Sequence, residues 1–469
     1  MPGLRTRFSI PIVAVLLSAL SLATGSVFAG DALPVAPAQI EASYWVAKLP
    51  DAERVALDAN AIAARNAALP RLEPTWHDLA ALPAVLDRDA VRARIEKLSA
   101  PPTRTLYAED GHALTASELA SLQDSLALDA IPDHVSVNFA LVVHRAALRT
   151  FPTTQRVFSK PGDSDIDRFQ ESALFPGTPV AWLHDSRDGR WRFVVAPNYA
   201  AWVQADALAE GSREQVLIYA GKQPQLVVTG SGVRTVFDPS RPALSRLPLD
   251  MGVHLPLLAD WPRDEAVSGQ AAYSAWVVQL PTRDANGRLQ LVPALIPHGG
   301  DARLGDLALS RANLLRQAFK LLGERYGWGH DYDGRDCSGF LSDVFATFGV
   351  RMLRNTGDQA KSPVFSHQSF DDTASRADRM RAVAALQVGD LVYIPGHVLM
   401  VVGFEDGKPW VIHDVQGVSV RDGDSLRRIP LNGVSVTPLL PLQFDAGHDY
   451  IDRMTSIVHP LASLPPGAH

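Results

Sequence analysis

The hydrophobic periodicity of this chain changes twice along its length, and a fold built from one layer type cannot accommodate both changes. From Asp31 to about His134 apolar residues recur at helical spacing, most clearly in Asp51–Leu69 and Asp87–Leu98, and Pro101-Pro102 stops the second run. Near Val135 short strand-like runs take over: Val137–His144, Val180–His184, Arg190–Val195 and Ala201–Val203. Turn sequences such as Pro161-Gly162-Asp163 and Arg187-Asp188-Gly189 separate them. Beyond His298 the pattern becomes mixed. Helical spacing covers Leu309–Leu322 and Cys337–Phe348, followed by strand runs Leu391–Ile394, His397–Phe404 and Trp410–His413. Three textures in one chain predict several domains.

The first residues read as an export signal. Arg5 and Arg7 precede the mostly apolar run Phe8–Leu22, and Val27-Phe28-Ala29 offers a cleavage site, so residues 1–29 are expected to leave and the mature chain to start near Gly30. An uncleaved anchor is the alternative, but Pro11 and several serines break the run and it is short for a span. About 440 residues remain, roughly three domains' worth. The net charge of −7, with both signs well mixed, argues against a nucleic-acid or anionic-membrane partner. The expectation is a soluble, exported chain, periplasmic or secreted. Its oligomeric state is not legible.

Two β-rich stretches, about 135–210 and 211–297, each end in a similar phrase, Tyr199-Ala-Ala-Trp202-Val203 and Tyr273-Ser-Ala-Trp276-Val277. Matching phrases inside matching β texture predict a tandem of small barrels. Residues 30–134 read as a helical stabilising region, 298–445 as the mixed domain, and 446–469 as a C-terminal tail.

Chemistry concentrates in the mixed domain. Cys337 is the only cysteine, so it can form no intrachain disulfide, and a lone thiol in an exported chain points toward reactivity. It opens a helical pattern directly after Asp336, where unpaired amides and the helix dipole favour a thiolate and could stabilise an oxyanion. Asp336 as helix cap, with Cys337 merely buried, explains the same residues. The turn at 405–408 makes a hairpin of the last two strand runs, which brings His397 and His413 roughly abreast at its open end. A base and an orienting partner beside a cysteine is the arrangement that nucleophilic catalysis requires. His330, Asp331, Asp333 and Asp336 fit no zinc or calcium spacing and read as a solvated loop. Cys337, His397 and His413 lack a fourth ligand at motif spacing, so neither metal nor cofactor is expected.

Tyr326-x-Trp328-Gly329, Asp336-Cys337-Ser338-Gly339-Phe340, Gly389-Asp390-Leu391, His397-Val398 and Ile412-His413 together resemble the NlpC/P60 family of cysteine peptidases. Gly177-Thr178-Pro179-Val180 with Ser186-Arg-Asp-Gly189 and Trp191 resembles the first of two bacterial SH3 types found upstream of such domains, and the second stretch resembles its partner type less sharply. The resemblance implies a papain-like α+β domain in which Cys337 is nucleophile, His397 base and His413 orienter. The domain order resembles the branch that cleaves γ-D-glutamyl-diamino acid bonds in murein peptides with a free L-alanine amine. It implies substrate contacts from Asp336, Ser338, Tyr326 and the hydroxyl of Thr356, which stands where the family's Arg-x-Ser segment has serine. A broader endopeptidase on intact peptidoglycan and a wall-binding module with a vestigial catalytic domain are the alternatives.

Overall fold

The computed structural model describes residues 33–262 and 264–465. The expected signal peptide lies outside the described residues. The N-terminal region carries helices α1 (Ala42–Val46), α2 (Ala59–Leu72), α3 (Arg88–Leu98) and α4 (Ala116–Ser125). Asp58 caps α2 by accepting the Ala61 N–H, and Thr115 with Glu118 forms a reciprocal capping box on α4. The region has no core of its own. Trp45, Ile62 and Leu69 bury in the core of the C-terminal domain, whereas Val91, Ile95 and Leu122 bury in the core of the first β unit. It therefore splints two domains together.

The first β unit is a seven-stranded antiparallel sheet of β1 (Asn138–Val142), β2 (Ala146–Arg149), β3 (Gln170–Leu174), β4 (Pro179–Asp185), β5 (Trp191–Ala196), β6 (Tyr199–Gln204) and β7 (Leu208–Gly211). The order is β7-β1-β4-β5-β6-β2-β3. Phe193 and Trp202 face each other across β5 and β6, their rings edge-to-face at 5.5 Å. Helix α5 (Arg213–Gly221) leads to a second β stretch with a separate core. There β8 (Gln225–Val228) pairs with β9 (His254–Pro256) and, on its other side, with β12 (Ala302–Leu304). A long hairpin joins β10 (Ala275–Arg283) to β11 (Leu289–Pro297). The two Tyr-x-Ala-Trp-Val phrases sit in different surroundings. Trp202 is fully buried within β6, but Tyr273 is 76% exposed and Trp276 lies half-buried against His298. A shared phrase does not mark equivalent positions here, because the first lies within a strand and the second spans the short 3-10 turn that enters β10.

The C-terminal domain is a six-stranded antiparallel sheet of β13 (Ser366–Ser369), β14 (Leu391–Ile394), β15 (His397–Glu405), β16 (Lys408–Val415), β17 (Gly433–Pro438) and β18 (Ser456–His459), in the order β13-β18-β14-β15-β16-β17. Helices α6 (Arg311–Phe319) and α7 (Cys337–Ala346) cover one face. Strand alternation sends Val398, Met400, Val402 and Ile412 toward α7, and Leu399, Val401 and Val411 into a second cluster on the opposite face. The described part of the expected C-terminal tail, residues 446–465, is part of the domain. Their strand β18 lies between β13 and β14, and the buried Arg65 of α2 donates to the Pro460 carbonyl at 2.7 Å. A strand paired on both edges contributes through its partners, and the short apolar run Ile457-Val458 gives little sign of that in isolation.

Trp45 shows how firmly the N-terminal region is attached. It is 1% exposed, and a Cβ on Gly403 of β15 would come within 2.3 Å of its ring. Trp45→Ala should cost about 3–5 kcal/mol, measured as a lower denaturant midpoint of the C-terminal domain. A loss below about 1 kcal/mol would mean that α1 is docked without supporting the core.

Candidate active site

Asp336 sets where α7 begins. Its Oδ1 accepts the Gly339 N–H at 2.8 Å, which leaves Cys337 at the first helical position. Gly339 is required by close approach, since a Cβ there would meet the buried His330 ring at 2.4 Å. The segment 328–333 is therefore solvated only in part: Tyr332 and Asp333 are exposed, whereas His330, like Asp336 after it, is buried. The segment folds over the helix start with Gly329, His330 and Tyr332 in left-handed conformation, and Asp331 pairs with Arg156 at 2.6 Å. Gly329 also abuts β3, where a Cβ would fall 2.9 Å from Gln170 Cγ. Gln170 Nε2 donates to the Gly329 carbonyl at 2.8 Å, and Trp328 Nε1 donates to the Gln170 carbonyl at 3.0 Å. Arg145, between β1 and β2, donates to the His330 and Gly334 carbonyls and pairs with Asp250 of the second β stretch. The loop before Cys337 is thus held from two other domains.

His397 begins β15, and the amide of the next residue, Val398, hydrogen-bonds to the Cys337 sulfur. His397 Nε2 lies 2.9 Å from His413 Nδ1, and His413 Nε2 lies 3.1 Å from Thr437 Oγ1 of β17. The two histidines are diagonal neighbours, not abreast, because Met400 pairs with Ile412 and a bulge near Val402 offsets the hairpin. For His397 to accept a proton, Nδ1 must be free, so Nε2 carries hydrogen and donates to His413 Nδ1. His413 Nε2 then donates to Thr437, which fixes both tautomers. Thr437 is fully buried, and no feature of its sequence context marks it.

Burial, with the negative charges of Asp336 and Asp414, pushes the Cys337 thiol up to about 12. A helix N-terminus is worth about 0.3–1 kcal/mol, less than one pKa unit. The expected depression of the thiol by the helix is therefore outweighed. Burial lowers His397 to about 4, with Asp336 opposing, and drives His413 well below the usual imidazole range. In the free protein the pair is thiol and neutral imidazole. Tyr326 is 8% exposed, and burial, reinforced by the charge of Asp336, holds its phenol protonated. It can donate a hydrogen bond to an oxyanion beside the sulfur.

Asp336 is already saturated. Besides the Gly339 amide it accepts from the Gly329 N–H at 3.0 Å, from Arg354 Nη2 at 2.6 Å and Nη1 at 3.1 Å, and from Ser338 Oγ at 3.1 Å. Burial would raise this carboxyl, but Arg354 and its other donors hold it well below the usual range. Arg354 Nε continues to Ser172 Oγ of β3 at 2.7 Å, next to Glu171. Glu171 is half-buried and accepts from Thr150 Oγ1 at 2.5 Å and from the Tyr199 hydroxyl. Glu171 and Tyr199 join this network from β3 and β6, and the sequence did not reveal them, since they lie far from Cys337 along the chain. Thr356 is half-buried at the first position of helix α8 (Thr356–Gln359), and Arg354, two residues before it, is the one that enters the site.

Residues 323–426 match the model of the NlpC/P60 family, and residues 156–204 match an SH3 domain of the SH3b1 type. The chain carries an NlpC/P60 domain. No curated protein matches the sequence. The fold resembles that of an NlpC/P60 endopeptidase from Photobacterium damselae subsp. piscicida, at 18% identity and a TM-score of 0.71, covering 90% of this chain and 97% of that one. An NlpC/P60 family protein from Bacillus cereus ATCC 10987 aligns at 18% identity with a TM-score of 0.45, over 70% of this chain and 100% of its own. Within the NlpC/P60 domain the match spans Cys337, His397 and His413 but not Thr437, and Glu171 and Tyr199 belong to the SH3 domain.

A neutral resting thiol has a direct consequence. Between pH 6 and 8 the alkylation of Cys337 by iodoacetamide should rise about tenfold per pH unit, followed by mass spectrometry of the Cys337 peptide. A rate already level below pH 7 would show a preformed thiolate and contradict this charge state.

Proposed function

We propose that the protein is a cysteine peptidase that hydrolyses the γ-D-glutamyl-diamino acid bond of murein-derived peptides bearing a free L-alanine amine. In this reading Cys337 attacks the γ-carbonyl as His397 Nδ1 takes its proton. The carbon–nitrogen bond breaks, the diamino acid amine leaves with the proton from His397, and water then cleaves the thioester. The Tyr326 hydroxyl and the amides at the start of α7 stabilise the oxyanion. His413 and Thr437 orient the base.

The feature that carries the substrate class is the Glu171 carboxylate, whose residue meets Arg354 of the Asp336 pair through its backbone carbonyl. Asp336 has no acceptor capacity left after its five donors, so its proposed role moves from binding the ammonium directly to holding Arg354 and the helix start. Glu171, half-buried with donors from Thr150 and Tyr199, keeps lone pairs for an ammonium. The SH3 domain supplies that carboxylate, which favours a short peptide ending there over a stem still joined to glycan. The second β stretch serves in this reading as the partner SH3-type barrel, held to the nucleophile's loop through Asp250. Export to the periplasm or beyond would give the enzyme access to such peptides.

Side-by-side digestion tests the reading. L-Ala-γ-D-Glu-diaminopimelate should be cleaved at the γ-glutamyl bond, its N-acetylated form at least about 100-fold more slowly, and Cys337→Ala should abolish both. Equal rates on the two peptides would favour the broader endopeptidase. Glu171→Gln should raise KM for the free tripeptide by roughly ten- to a hundredfold with a smaller effect on kcat, the pattern expected when a binding contact is lost.

A further inference from the structure

Asp414 follows His413 on β16 and points to the opposite face of the sheet. It pairs with Val434, and Ile412 and Val434 lie in the same apolar cluster as Cys337. Its side chain therefore faces the nucleophile's side. It is fully buried, and neither carboxylate oxygen has a hydrogen-bond partner among the described residues. The other buried acids around it are all paired: Asp336 with Arg354, Asp343 with Arg335, and Asp250 with Arg145. Arg335 attracts Asp414, yet its hydrogen bonds go to Asp343 and Glu324. Only the Val415 amide and the unpartnered Arg335 Nη2 stand near it, and a buried carboxylate so weakly supported is costly enough that the group is carried as the neutral acid.

The groups facing Asp414 make its charge matter. Asp336 and Cys337 look toward it from the start of α7, and Tyr326, Glu324 and Arg335 from the loops beside that helix. Negative charge on Asp414 opposes negative charge on Cys337. We propose that Asp414 is a positioning residue that must be neutral for Cys337 to become a thiolate, so that its ionisation sets an upper pH limit on the reactivity of the site. Burial, reinforced by Asp336 and Glu324, raises its carboxyl to about 9. Below that pH the nucleophile meets a neutral neighbour; above it, a like charge.

Alkylation of Cys337 by iodoacetamide reads this directly and needs no peptide, so it stands apart from the assignment of the substrate. Asp414→Asn removes the charge and keeps the shape. At pH 7 the variant and the wild type should alkylate at similar rates. At pH 10 the variant should react about tenfold faster, the effect of one pKa unit of interaction. Equal rates at both pH values would overturn the proposal. So would an Asp414→Asn rate at pH 7 raised as far as at pH 10, since Asp414 would then be charged throughout. The wild type alone provides a second check should the variant fail to fold. Carboxyl 13C NMR should show one buried aspartic acid still protonated at pH 7 and ionising near pH 9. Full ionisation of every aspartate by pH 7 would contradict the account.

Discussion

The ion pair between Asp336 and Arg354 is the interaction on which the rest of the site depends. One carboxylate caps the nucleophile's helix, receives the Gly329 amide of the covering loop and binds a guanidinium that reaches on to Ser172 of the SH3 domain. Neither group can be removed cheaply, because breaking a buried pair leaves an uncompensated charge at about 3–5 kcal/mol. Helix start, loop and domain interface are therefore set by a single bidentate contact. The position of the SH3 domain, and with it of Glu171, is a consequence of how Cys337 is held.

This design has an electrostatic cost. Placing Asp336 directly before the nucleophile, with Asp414 on the strand beyond it, raises the thiol and works against the helix dipole. The site manages the conflict by keeping the resting pair neutral and by pairing nearly every buried acid with an arginine. In the proposed mechanism proton transfer to His397 accompanies attack, and the relay through His413 to Thr437 keeps the accepting nitrogen in the needed tautomer.

Much of the site was legible in the sequence because its parts are local. Asp336-Cys337 marks a capped helix, and the 405–408 turn brings His397 and His413 together on adjacent strands, although the bulge near Val402 made them diagonal. Contacts made across domains were not legible. Glu171 and Tyr199 carry no local signal of their role, and Thr437 looks like any strand threonine. Helices α1–α4 and short strands share the N-terminal region, and helical spacing could not show that the helices divide between two cores. The two Tyr-x-Ala-Trp-Val phrases take different places because a short repeat reports composition, whereas burial depends on what packs against it. Strand β18 was missed because its place in the sheet is defined by β13 and β14.

The central claim is that Cys337 is acylated through the γ-carboxyl of D-glutamate. Acid quenching the protein during turnover of L-Ala-γ-D-Glu-diaminopimelate, followed by peptide mass mapping, tests it most directly. The account predicts an L-Ala-γ-D-Glu acyl group on the Cys337 peptide, removed by neutral hydroxylamine as expected for a thioester. Continued turnover with Cys337 unmodified at every quench time, or with the acyl group on another residue, would contradict it.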